Sequence, residues 1–98
     1  MSKINLLASA ESLPHAWRSK VLGCAGGANF KILRMDASAY PAECHDFDEA
    51  LLVLDGQMNL EIQNSLVSVR AGELFIVPAG IPHAVAPGSF GTLVIIDS

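Results

Sequence analysis

The stretch Glu43-Cys44-His45-Asp46-Phe47-Asp48-Glu49-Ala50-Leu51-Leu52-Val53 sets three metal-capable side chains directly ahead of an apolar strand. Glu43 and His45 are two positions apart, so in an extended segment both point to one face and Cys44 points to the other. Glu49 lies four positions beyond His45, and that even spacing allows it the same face at the mouth of the strand. A fourth donor, His83, follows the rigid turn Pro78-Ala79-Gly80-Ile81-Pro82 and must fold across from a distant strand to join them. Carboxylate and imidazole together suit a divalent first-row metal better than a soft, thiophilic one.

Outward from this stretch the chain reads as short strands. Ala50–Asp55 is a continuous apolar run ended by Gly56, as expected of a central strand buried on both faces. Met58, Leu60 and Ile62 alternate with Asn59, Glu61 and Gln63, the pattern of a half-exposed antiparallel strand. Asn64-Ser65 turns the chain into Leu66–Val69, and Ala71-Gly72-Glu73 turns it again into the apolar Leu74–Val77. His83–Ala86 and Thr92–Ile96, separated by Pro87-Gly88, complete the chain. Upstream, Trp17–Cys24 and Phe30–Met35 flank a Gly26-Gly27 hairpin turn, where glycine supplies the positive φ such turns need. On the second of these strands Lys31, Leu33 and Met35 share one face, and Phe30, Ile32 and Arg34 the other. Tyr40-Pro41 is read as breaking the pattern and opening a polar loop. Residues 1–16 are a lead-in, either a short weak helix or irregular chain closed by Pro14. Short strands at this spacing, without a convincing helix beyond residue 14, predict an all-β fold, a small antiparallel barrel or double-sheet jelly roll, as one domain over residues 1–98.

Composition narrows the function classes. A formal net charge of -4, with only six scattered Lys and Arg, argues against nucleic acid and anionic membranes as partners. No stretch approaches the roughly 18 apolar residues of a membrane span. Ile4-Asn5-Leu6-Leu7 before Ala8-Ser9-Ala10 mimics a secretion signal, but its apolar run is far short of the roughly 7–15 residues such a signal needs. A cytoplasmic protein is therefore expected, with Cys24 and Cys44 as small core residues and not a disulfide. Hydrophobic content of 51% against 16% charged leaves apolar outer faces around Ala50, Leu52 and Leu54 to be covered, and a homodimer is expected to cover them.

In this order and spacing the residues resemble the cupin superfamily. Its first motif runs Gly, five residues, His-X-His, three or four residues, Glu, six residues, Gly, and His45, Glu49 and Gly56 fit the second half. Its second motif runs Gly, five residues, Pro-X-Gly, two residues, His, three residues, Asn, and Gly72, Pro78, Gly80 and His83 fall at the required places. The resemblance covers roughly residues 37–87, with motifs at about 37–56 and 72–87. The chain departs from the pattern where the first histidine falls on Glu43, the final asparagine on Pro87, and the leading glycine near Ala37.

The resemblance implies that His45, Glu49 and His83 are three of the four usual metal ligands. Glu43 takes the fourth place, either as a ligand or swung out of the site. Two histidines with a carboxylate resemble the facial triad that leaves positions open for substrate. A second carboxylate lowers Lewis acidity and favours Mn(II), Fe(II) or Zn(II), with Ni(II) also open. The implied function is a metal-dependent dioxygenase, isomerase or decarboxylase of a small oxygenated substrate. The alternative is a non-catalytic module that binds a sugar or effector, with a structural metal or none. Asp46 and Asp48 are read as solvated loop carboxylates, His15 as a surface or subunit-contact residue, and Cys44 as an unreactive thiol.

Overall fold

Strand pairing in the computed structural model, which describes Met1–Ser98, is antiparallel throughout. After a short helix, α1 (Leu6–Glu11), come β1 (Lys20–Ala25), β2 (Ala28–Asp36), β3 (Tyr40–Glu43), β4 (Glu49–Ile62), β5 (Ser65–Arg70), β6 (Leu74–Val77), β7 (His83–Val85) and β8 (Phe90–Asp97). The sheet runs in the order β1-β2-β8-β4-β7-β3, with β5 and β6 paired to β4. It curls into a half-barrel whose concave side holds the main core, and the all-β expectation is met. Tyr40-Pro41 does not open a loop. Both belong to β3, an edge strand where proline costs no ladder bond that matters.

The long strand β4 organises the barrel because it changes face partway along. Glu49, Leu51 and Val53 point inward, and beyond a register shift between Val53 and Asp55 the inward residues are Met58, Leu60 and Ile62. The extra residue of a β-bulge produces this reversal and bends the strand. Gly56 makes it possible. Its φ is +79°, and a Cβ there would stand 2.0 Å from the Phe90 carbonyl oxygen. What the sequence presents as two strands, one apolar and one alternating, is thus a single bent strand.

Leu33, Met35, Leu51, Val53, Met58, Leu60, Ile62, Val69, Val77 and Leu93 form the inner core. The lead-in covers much of the outer face. Ala10 and Leu13 pack with Ile32 and Val94, against which Leu52 and Leu54 also lie. Asn5 caps α1 by accepting from Ala8 N at 3.0 Å. Arg34 ties the segment down from β2, its Nη1 donating to the carbonyls of Ala10 at 2.8 Å and Leu13 at 2.9 Å. Leu52 and Leu54 therefore find cover within the chain. Leu74 and Ile76 on β6 remain exposed. The cysteines are unpaired, as expected, but both are exposed and neither is a core residue. Cys24 sits beside the tight Gly26-Gly27 turn, where its thiol meets Asn29 Oδ1 at 3.1 Å. No helix is long and apolar enough to cross a membrane.

Candidate metal centre

One end of the half-barrel opens into a cavity of about 210 Å³ with Glu43, His45, Glu49 and His83 in its wall. The sequence-predicted residues thus come together, each delivered by a different piece of local structure. Glu43 ends β3 and pairs in register with His83, the first residue of β7. His45 lies in the loop after β3, and Glu49 begins β4 on the inward face. Two bonds join the loops that carry the histidines: Gly80 N donates to the His45 carbonyl at 2.7 Å, and Ala79 N donates to Asp48 Oδ1 at 2.8 Å. Asp48 is thus more than a solvated loop carboxylate, since it braces the turn that leads into His83.

The donor atoms converge. Single ligand atoms of Glu43, His45 and His83 all lie within 4.8 Å of one another. Glu49 stands outside that trio yet is close to both histidines, its carboxylate split between them: Oε2 lies 3.8 Å from His45 Nε2 and Oε1 lies 3.3 Å from His83 Nε2. Glu43 Oε2 lies 3.3 Å from His45 Nε2. Donors held about 2.0–2.2 Å from one ion stand roughly 2.8–3.1 Å apart along octahedral edges and roughly 3.3–3.6 Å along tetrahedral ones. The two separations of 3.3 Å match a tetrahedral edge, and the 3.8 Å between Glu49 and His45 exceeds it.

His83 is held in the orientation a ligating histidine needs. Its Nδ1 lies 3.1 Å from the Ile81 carbonyl, an oxygen that can only accept. Nδ1 therefore carries a proton, and Nε2 is the ring nitrogen left to face Glu49, with Oε1 3.3 Å away. Either a shared proton or a metal ion ligated by both atoms satisfies a contact of that length. A backbone carbonyl that fixes the tautomer and aims Nε2 is the usual outer support of a ligating histidine. Glu49 and His83 are both buried in the wall of this cavity.

The rest of the cavity wall was only partly visible in the sequence. Trp17 and Tyr40 stack with ring centroids 5.6 Å apart, and Phe47 stacks on His45 at 4.8 Å. Trp17 has a φ of +66°, a conformation uncommon for a bulky residue, and its indole N–H donates to Asp36. That bond, followed by those from Ser38, holds the Asp36 carboxyl below its ordinary range. Tyr40 is pushed the other way, above the usual phenol value, first by the charge of Glu43, then by burial and a hydrogen bond to Glu43. Lys31 and Asp97 also line the cavity, paired at 2.7 Å. For Lys31 the signal was its place on one face with Leu33 and Met35. Asp97 gave none beyond following an apolar run. Cys44, Asp46 and His15 are exposed and outside the cavity wall.

Comparison with known proteins agrees with this architecture. The cupin domain family matches over residues 32–97. No functionally curated protein matches the chain. Among solved structures, protein NMB1881 from Neisseria meningitidis superposes with a TM-score of 0.84 at 22% identity, covering 98% of both chains. A cupin-2 domain containing protein from Shewanella frigidimarina gives 0.84 at 22% identity, over 95% of this chain and 91% of that one. KdgF from Halomonas sp. gives 0.71 at 18% identity, over 82% and 76%. Identities this low speak for the fold alone. With the family matched over two thirds of its length and the barrel intact around that match, the chain belongs to the cupin domain family.

Proposed function

We propose that this cupin binds one divalent metal ion through Glu43, His45, Glu49 and His83, and uses it on a small oxygenated substrate in a reaction of the dioxygenase, isomerase or decarboxylase type. The observation that carries this reading is the gathering of Glu43, His45, Glu49 and His83 in one cavity wall, with the His83 ring fixed by the Ile81 carbonyl and its Nε2 turned to Glu49 Oε1. A divalent ion there would act as a Lewis acid toward substrate oxygens. The chain's own residues do the rest. Ile81 and Asp48 hold the His83 turn, and the Trp17–Tyr40 stack with Leu33, Leu51 and Leu60 gives the substrate an apolar wall. Glu43 already exchanges contacts with His45 and Tyr40, so it is placed to ligate the ion or to release it.

Thermal unfolding with added Mn(II), Fe(II), Ni(II) or Zn(II) tests the reading. A ligand that binds only the folded state raises the midpoint. At least one of these ions should do so for the wild type and not for His83→Ala. Equal behaviour of the two proteins would refute the site.

We also propose that a second copy of the chain covers Leu74 and Ile76, which are exposed on β6 beside the apolar Ala50 and Leu52 of β4. A monomeric mass in light scattering at micromolar concentration would contradict it. The unpaired, exposed cysteines suit a reducing compartment, and we place the chain in the cytoplasm. Recovery in a secreted fraction would count against that.

A further inference from the structure

The cavity wall holds a second polar cluster that metal binding does not use. Lys31 Nζ lies 2.7 Å from Asp97 Oδ2, and Asn29 Nδ2 donates to the other oxygen, Asp97 Oδ1, at 3.3 Å. The Asp97 side chain is 2% exposed, whereas that of Lys31 keeps 25% and faces the cavity. We propose that Lys31 anchors a second carboxylate of the substrate, so that the pocket takes a small hydroxy or oxo acid that chelates the metal at one end and meets the Lys31 ammonium at the other. This rests on the metal reading above.

Four features support it. First, an ion pair on the inner face of a barrel is a poor stabiliser, because desolvation offsets most of its attraction. Apolar side chains like the neighbouring Leu33 and Ile95 would fill the same space. Second, an ammonium has three N–H donors, and Asp97 Oδ2 takes one. Asp97, buried and itself held by Asn29, fixes the direction of the ammonium without exhausting it. Third, the cavity accepts an anion only once the metal is in place. Glu43, Glu49 and Asp97 outnumber Lys31 in the wall, so the metal-free cavity repels anions, and a divalent ion brings the wall to neutrality. Fourth, the strand register sets the span. Ile96 pairs with Ala50, so the next residues, Asp97 and Glu49, face each other across one strand spacing of about 5 Å. Lys31 reaches Asp97 from the strand beyond, where it pairs with Ile95. A short dicarboxylic acid fits that interval. A single ammonium shared with Asp97 suits a singly charged carboxylate better than a phosphate, which draws on several donors. Arg34, on the same strand, is committed to Ala10 and Leu13 on the opposite face.

Calorimetric titration of Mn(II)-loaded protein provides the test, with lactate as the chelating probe and malate and 2-hydroxyglutarate as the same probe carrying a distal carboxylate. For the wild type, malate or 2-hydroxyglutarate should bind about tenfold or more tightly than lactate. Lys31→Met combined with Asp97→Asn, which leaves no unpaired charge, should remove that preference while leaving lactate binding in place, and Lys31→Arg should retain it. Equal binding of all three acids by the wild type overturns the proposal without needing any variant. A preference that survives in the double variant also overturns it. Failure of the protein to take up Mn(II), Fe(II), Ni(II) or Zn(II) would overturn the metal reading together with it, and is seen before any acid is added.

Discussion

His83 Nε2 and Glu49 Oε1 face each other at 3.3 Å while the other ring nitrogen of His83 is tied to the Ile81 carbonyl. The carbonyl fixes the ring, so Nε2 is the nitrogen offered to Glu49 and to any ion that Glu49 shares.

Glu43 occupies the place of a family histidine and lies 3.3 Å from His45. Glu43→His should restore a set of three imidazoles and one carboxylate and tighten Zn(II) or Ni(II) by roughly tenfold. Competition against a chromophoric chelator measures this. Unchanged affinity would mean that Glu43 does not ligate.

Asp48 braces the turn before His83 from the loop that carries His45. Asp48→Ala should cost about 1 kcal/mol in urea unfolding. It should also weaken metal binding by roughly tenfold, as the loss of an outer support does. A stability loss with metal affinity intact would show that the brace serves the fold alone.

Gly56 meets Gly91 across the bend in β4, and each takes a positive φ that leaves no room for a Cβ. Gly56→Ala should destabilise the protein by roughly 3 kcal/mol or more, the sum of backbone strain and collision with the Phe90 carbonyl. Chemical denaturation reads this directly, and a loss below about 1 kcal/mol would mean that the bend can relax.

Tyr40 is the one tyrosine of the chain, so its phenolate absorbance reports on it alone. In metal-free protein it should titrate above the ordinary value of 10.0, chiefly because of the Glu43 charge. The protonated phenol is the form the fold favours. Its contribution is therefore complete below the unfolded value and is lost as pH rises through the folded one. Glu43→Gln should return the titration toward 10.0, and no movement would place Glu43 away from Tyr40.

Much of the site was legible because metal ligands demand particular residue types at particular strand positions. Glu43, His45, Glu49 and the turn Pro78–Pro82 before His83 show the donors in the sequence. Bends at Asp46 and Phe47 nevertheless break the expected period of two, and the loop between β3 and β4 brings His45 and Glu49 to the site instead. Other features lie beyond such patterns. Gly56 reads as the end of a strand, because a bulge leaves no mark on hydrophobic alternation except the switch from Leu51 and Val53 to Met58 and Leu60. Tyr40-Pro41 reads as a loop because propensity does not know that β3 is an edge. Lys31–Asp97 joins residues at opposite ends of the sequence, so only pairing of β2 with β8 brings them together. Leu52 and Leu54 are covered by the lead-in, a tertiary choice that their own run of apolar residues cannot reveal.

Metal content tests the central claim most directly. Untagged protein purified without chelator would be assayed by elemental mass spectrometry beside His83→Ala, with folding of the variant checked by circular dichroism. Close to one Mn, Fe, Ni or Zn per chain in the wild type, and little in the folded variant, is the expected result. Wild-type protein that holds no metal even after reconstitution, or a variant that holds as much as the wild type, would contradict it.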